Sequence, residues 1–225
     1  MEGQAILQYL TRHFDPDRKL SFDKDPELSQ CEQWVAWQHG GLGPMQGKSL
    51  HGERRILAQG TSPRRPVDVT RPPYEAPANL STTCAIGQAN HFYRLAKERI
   101  PYPTQRYVGE TERLYGILDA KLKDNEYLVG NKYSIADIAN FSWVNVAYFA
   151  GVDLDSFPNL YKWWEKINER PAVKRGVAVP TEPGITNGPF KEKLKNDSEF
   201  KQKHEELQDL MKKAKEQYSY KYSSP

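Results

Sequence analysis

Apolar residues recur at intervals of three and four along most of this chain, which is the pattern of amphipathic helices around a shared core. Segments with this pattern occupy residues 2–13, 26–38, 91–99, 107–123, 134–150, 158–170 and 190–218. The last segment is dense in Lys and Glu, which favours a solvated helix lying on the surface. The pattern as a whole predicts an all-α fold.

The first helix is followed by a polar stretch, residues 15–25, whose composition is typical of an interdomain linker. The side chains of the first helix that we predict to face the core are Ile6, Leu7, Leu10 and Phe14. After the second helix comes the run GGLGPM, which must bend or interrupt it. Each of two adjacent glycines costs ~1 kcal/mol in a helix, and Pro44 lacks a backbone donor.

The middle of the chain predicts two further helices separated by the sequence IPYP at residues 100–103, which we expect to end the first of them. In the second, the apolar face consists of Leu114, Ile117, Leu118 and Leu122. The side chains predicted to lie outside are Glu110, Glu112 and Arg113.

The stretch 131–150 contains a complete signal for starting a buried helix. Ser134 is an expected N-cap, and Asp137 can accept from the backbone N–H of Ser134, so that the two form a capping box. Tyr133 and Ile138 are placed to meet as a hydrophobic staple. The rest of the stretch is almost uncharged, which predicts a helix at the centre of the domain with a structural role.

Residues 47–86 break the helical pattern. They hold five of the sixteen prolines, show no lasting period and have the composition of a disordered segment. Their six basic and three acidic residues account for the +3 charge of the whole chain. Few aromatic residues are interleaved with the basic ones, which argues against a loop that binds RNA or a membrane.

Composition excludes several classes of protein. The apolar runs are shorter than the ~20 residues of a membrane span, and no signal peptide is apparent, so we expect a cytoplasmic protein without a membrane or nucleic-acid partner. Cys31 and Cys84 lack the spacing of metal ligands, and the five histidines are scattered, so we expect no metal. Neither a GxSxG elbow nor a phosphate-binding loop is present.

The ordered set GGLGPMQ, GQANHF, RYVGETERLYGILDAKL, YLVGNKYSIADIANFSWV and FPNLYKWWEKINERPAVKRG resembles the helical C-terminal domain of glutathione transferases. More narrowly, it is similar to the fungal and bacterial branch that includes a yeast nitrogen-regulatory protein. The resemblance implies that residues 1–14 are the last helix of a thioredoxin-like domain and 26–180 the helical domain. Residues 181–225 form a C-terminal extension with a charged helix.

The resemblance also implies glutathione as substrate, a homodimer, and a helical domain that supplies walls for the hydrophobic co-substrate. Glu2 matches the Glu of a Glu-Ser pair that holds the γ-glutamyl group, although Gly3 replaces the Ser. Arg106 is the candidate for a second contact to glutathione, since Arg presents a bidentate fork. The expected walls of the hydrophobic co-substrate pocket are Trp34, Trp37, Tyr107 and Phe149.

Two departures from the family bear on activity. Nearly all of the thioredoxin-like domain, with the residue that activates the thiol, is expected to be absent. We therefore expect this chain to be inactive by itself, although the family conjugates glutathione to hydrophobic electrophiles or reduces disulfides with it. The alternative is a non-catalytic helical module for dimerisation or assembly.

The second departure is residues 47–86, because GGLGPMQ runs directly into GQANHF in the related branch. We interpret this segment as a translated intron. Codons for Gly47 to Ser49 can contain a splice donor, those for Ile86 and Gly87 can contain an acceptor, and the two phases agree.

Overall fold

A computed structural model describes residues 3–46, 88–179 and 184–218, and every regular element in these ranges is helical. The α-helices are α1 Gly3–Phe14, α2 Glu27–Trp37, α3 Gly43–Gln46, α4 Gln88–Asn90, α5 Pro101–Leu122, α6 Ile135–Val144, α7 Pro158–Asn168, α8 Pro171–Val177, α9 Asn187–Asn196 and α10 Ser198–Tyr218. Residues Gln38–Leu42 and His91–Leu95 form π-helical turns, and Leu154–Ser156 forms a 3₁₀ turn. The all-α prediction is confirmed for these ranges, whereas the predictions for Glu2 and for residues 47–86 lie outside them.

Helix α6 lies at the centre of the bundle, between α2 and α7. The Ser134 backbone is extended, its Oγ accepts from the Ala136 N–H at 3.3 Å, and Asp137 Oδ2 accepts from the Ser134 N–H at 3.0 Å. These bonds satisfy backbone donors that a helix start otherwise leaves without partners. Seven of the ten residues of α6 are buried, including Asp137 and Asn140.

The long helix α5 packs against α7 and α10. Leu114, Leu118 and Leu122 are buried, as predicted, but the helix begins six residues before the predicted start of 107. The prediction was wrong because Pro101 occupies a first-turn position, where its fixed φ favours a helix and its missing N–H costs nothing. Glu110, predicted to lie outside, is buried because Arg113 donates to both of its carboxylate oxygens, at 2.9 and 2.8 Å.

The glycine-rich run interrupts α2 as predicted, and it does so through the π-helical turn Gln38–Leu42. At Gly43, which follows this turn, the backbone lies close to neighbouring side chains. A Cβ there would lie 2.9 Å from Gln38 Nε2 and 3.2 Å from the Trp143 ring, so a glycine fits best. The helix predicted at 91–99 is shorter than expected. It ends after the second π-helical turn, His91–Leu95, where the backbone of Ala96 is extended.

Helix α1 forms where it was predicted, but most of its predicted inward residues are exposed. Leu7 is half-buried against the core and Thr11 is buried. The apolar side chains on the exposed face are Ile6, Tyr9, Leu10 and Phe14, the last of them 72% exposed. The prediction failed because a periodic pattern identifies an apolar face without identifying what covers it.

The C-terminal part is more closely packed than the predicted surface helix. Asp197 divides it into α9 and α10, and its Oδ1 accepts from the Phe200 N–H at 2.9 Å. Phe190, His204 and Met211 are buried, and α10 packs along α5. Among the described helices, none is both long and apolar enough to cross a membrane.

Candidate functional site

The four residues predicted to line the co-substrate pocket make three different sets of aromatic contacts. Trp34 and Trp37 contact each other edge to face on α2, with ring centroids 5.2 Å apart. Tyr107 of α5 stacks in parallel on Phe92 at 5.6 Å. Phe149 follows α6 and contacts Arg94, whose guanidinium lies 5.4 Å from the centre of its ring.

Of the two residues predicted to bind glutathione, the structure describes only Arg106. Glu2 lies outside the described residues, and Arg106 is half-buried on α5, next to Tyr107 in the chain. Its contact with glutathione stays a prediction.

Asp137 and Cys31 form a buried polar cluster around the start of α6. Asp137 Oδ1 accepts from the Leu128 N–H and from Trp163 Nε1, both at 3.0 Å, while Oδ2 accepts from the N–H and the hydroxyl of Ser134. Burial raises the pKa of the Asp137 carboxyl, and these bonds lower it in part. Burial also raises the pKa of the Cys31 thiol, which disfavours the reactive thiolate. The cluster is structural.

A second polar cluster surrounds Arg94. Its Nε donates to the Phe149 carbonyl at 2.7 Å and its Nη2 to the Tyr148 carbonyl at 3.2 Å. The rings of Tyr93, Phe149 and Phe190 lie within 5.4 Å of the guanidinium carbon. Burial lowers the pKa of Arg94 to about 10, so the side chain remains charged at neutral pH. In the described ranges, no carboxylate forms an ion pair with it.

His204 of α10 completes this cluster, with its Nδ1 2.8 Å from Arg94 Nη2. Because a guanidinium can only donate, Nδ1 accepts, and the proton of the neutral imidazole is carried by Nε2. Burial, and secondarily the charge of Arg94, lowers the pKa of His204 to about 4. The imidazole is therefore neutral near pH 7.

A cavity of about 290 Å³ lies beside His204, between α9, α10 and the loop after α6, and we call it the α9–α10 cavity. It is lined by Tyr148, Gly151, Val152, Asp153, Asp155, Lys191, Leu194, Lys201, His204, Glu205 and Gln208. At its edge, Asp155 accepts from the Tyr148 hydroxyl at 2.9 Å and from Lys191 at 2.9 and 3.1 Å. None of the predicted co-substrate residues lines this cavity.

Two other cavities border the described helices. One, of about 420 Å³, lies between α8 and the start of α9 and includes Asn145 and Lys174. The other is an apolar cleft of about 40 Å³ between α10 and the start of α5. Within the described part of the chain, no group of three His, Cys, Asp or Glu side chains could hold a metal ion.

A helical bundle built around a capped central helix is the architecture that the resemblance implies for a glutathione transferase C-terminal domain. Comparison with known proteins agrees: residues 96–171 match the family model described as "Glutathione S-transferase, C-terminal domain". Residues 96–171 are therefore a glutathione S-transferase C-terminal domain.

The chain is similar to the disulfide-bond oxidoreductase YfcG of Escherichia coli, with 34% identity over 176 residues that cover 78% of this chain and 62% of YfcG. It is similar to glutathione S-transferase 2 of Schizosaccharomyces pombe, with 30% identity, 77% coverage of this chain and 64% of the relative. The chain therefore spans less than two thirds of the length of these two relatives.

Among solved structures, a glutathione transferase homologue from Lodderomyces elongisporus, with two GSH per subunit, superposes with a TM-score of 0.59. The two chains are 28% identical, and the match covers 80% of this chain and 67% of the other. The likeness agrees with the predicted fungal and bacterial branch.

Sequence reasoning did not single out Arg94 or His204. No motif links two residues that are 110 positions apart. The available signal was local, since Arg94 follows Phe92 and Tyr93 in an apolar stretch where a charged side chain needs partners.

Proposed function

We propose that this chain forms the helical half of a glutathione-dependent enzyme, which conjugates glutathione to hydrophobic electrophiles or uses it to reduce disulfides. The relatives support both reactions, since one is named a glutathione S-transferase and another a disulfide-bond oxidoreductase. In this proposal Glu2 and Arg106 contact glutathione. The co-substrate walls are Trp34, Trp37, Tyr107 and Phe149.

The observation that carries the proposal is the exposed apolar face of α1. An amphipathic helix with Tyr9 and Phe14 exposed, at 56% and 72%, is unfavourable in water unless another element covers that face. The family resemblance assigns α1 to the end of a thioredoxin-like domain, in which a sheet covers such a helix. That domain would also bring the residue that activates the glutathione thiol.

The 225-residue polypeptide is proposed to be inactive without such a domain. Catalysis in this family lowers the pKa of the glutathione sulfur, which requires an accessible hydrogen-bond donor or helix N-terminus beside the thiol. The capping hydroxyl of Ser134 is fully buried at the start of α6, and the thiol of Cys31 is also buried, with a raised pKa. Neither is accessible to a glutathione sulfur.

The experiment compares the purified chain with a chimaera in which the thioredoxin-like domain of an active glutathione transferase is joined in front of α1. We expect the chain alone to pass through glutathione resin without retention and not to turn over a chromogenic aryl halide. The chimaera should be retained, and Leu10→Asp, on the exposed face of α1, should abolish retention, whereas Lys97→Asp, on an exposed loop, should not.

Turnover by the chain alone would contradict the proposed inactivity. A folded chimaera that is not retained would contradict the glutathione-binding role. If light scattering then showed a stable dimer, the alternative of a non-catalytic dimerisation module would be favoured.

A further inference from the structure

The α9–α10 cavity contains a buried polar side chain with an unused donor. His204 is only 8% exposed, yet it forms part of the cavity wall. Its Nδ1 is occupied by Arg94, and within the described residues Nε2 has no hydrogen-bond partner. Nε2 is not fully enclosed by the protein, so it is accessible, and the accessible space beside the ring is the cavity.

Arg94 determines what this side chain can bind. Since Nδ1 must accept from the guanidinium, Nε2 is fixed as an N–H donor towards the cavity. The positive charge behind the ring polarises this N–H and favours an anionic acceptor over a neutral one.

A second donor lies on the same face of α10. Lys201 precedes His204 by three residues, and residues at this spacing are neighbours on a helix surface. Its Nζ forms an ion pair with Glu205 at 3.8 Å, a distance too long for a hydrogen bond, so its donors stay available, and its side chain is 61% exposed. Lys191, in contrast, is already bound to both oxygens of Asp155.

The remaining walls set the size and charge of the ligand. Val152, Leu194 and the ring of Tyr148 offer apolar contact, and the volume of about 290 Å³ is near the lower end for small-molecule sites, ~300 Å³. Asp153, Asp155 and Glu205 also line the cavity, so a second negative charge on the ligand would be repelled. The site therefore favours one carboxylate attached to a compact apolar group.

We infer that the α9–α10 cavity binds small monocarboxylates, with the carboxylate between His204 Nε2–H and Lys201 Nζ and the apolar part against Val152 and Leu194. The inference is independent of glutathione, because no residue of α1 or α2 lines this cavity. It assigns the C-terminal helices a ligand site of their own.

The test is calorimetric titration of the full 225-residue chain with benzoate at pH 7, with benzamide as the uncharged control. We expect saturable binding of benzoate and at least tenfold weaker binding of benzamide. Lys201→Met should weaken benzoate binding about tenfold, since a hydrogen bond to a charged group contributes ~1.5 kcal/mol or more. Lys203→Met makes the same charge change on an exposed position that does not line the cavity, and should change affinity less than twofold.

His204→Asn provides a second probe, because Asn can retain an acceptor for Arg94 while removing the Nε2–H donor. We expect this substitution also to weaken benzoate binding about tenfold. Because His204 is buried and its replacement can disturb the fold, the exposed Lys201→Met variant tests the site without changing the core. Absence of saturable benzoate binding, equal binding of benzamide, or equal effects of Lys201→Met and Lys203→Met would each overturn the inference.

Discussion

Nη2 of Arg94 lies 2.8 Å from Nδ1 of His204, and this contact connects the second π-helical turn to α10 across 110 residues of sequence. The same guanidinium donates to the carbonyls of Tyr148 and Phe149, which follow α6. One half-buried cation therefore joins three parts of the chain, and it holds the C-terminal helices against the bundle.

We predict that Arg94→Leu lowers the free energy of unfolding by about 3 kcal/mol, because it removes three hydrogen bonds made by a charged donor. Urea unfolding followed by circular dichroism measures this. Arg175→Leu, at an exposed position on α8, is the matched control and should change stability by less than about 0.5 kcal/mol. Equal effects of the two substitutions would contradict a special role for Arg94.

Stability should decrease on acidification between pH 6.5 and 4 because of His204. Its pKa is about 4 in the folded chain and near 6.5 when unfolded, so in this interval the unfolded chain binds more protons. The raised pKa of Asp137 acts in the opposite direction, since that carboxyl binds protons more readily when folded. Melting temperatures of the wild type and His204→Asn, measured across this interval, isolate the histidine. The wild-type curve should fall more steeply, and parallel curves would exclude this effect.

Asp137→Asn should lower stability at pH 7 by about 3 kcal/mol. Asp137 accepts four hydrogen bonds on two oxygens, whereas Asn has one acceptor oxygen and would direct its NH₂ group at two donors. Thermal unfolding of this variant is compared with that of Asp124→Asn, at an exposed position after α5. A loss of less than about 1 kcal/mol would show that the network tolerates a neutral side chain.

Two glycine substitutions should change stability in opposite directions. Gly151 has a φ of +84°, and a Cβ there would lie 2.8 Å from the ring of Tyr93, so Gly151→Ala should cost at least ~2 kcal/mol. Gly116 lies within α5 with nothing within 4 Å of an added Cβ. Gly116→Ala should stabilise the chain by ~0.5–1 kcal/mol. The denaturation midpoints of the two variants should therefore lie on opposite sides of the wild type.

The elements that could be predicted from the sequence are those with local signals. The Ser134 cap with Asp137 identified the start of α6, and Pro158 identified the start of α7, because these signals act within one helical turn. The start of α5 at Pro101 was predicted wrongly, because a proline can end one helix and also begin the next. The exposed face of α1 and the Arg94 cluster depend on which distant segments meet, and no local pattern contains that information.

Helices α3 and α4 contact each other. Gln46 at the end of α3 and Gln88 at the start of α4 are therefore held near each other by the bundle itself. Closing a loop twice as long costs only ~0.6 kcal/mol more, so a chain in which Gln46 is joined directly to Gly87 should form the same contact. Removal of residues 47–86, the segment interpreted as a translated intron, should therefore leave the described helices packed as they are.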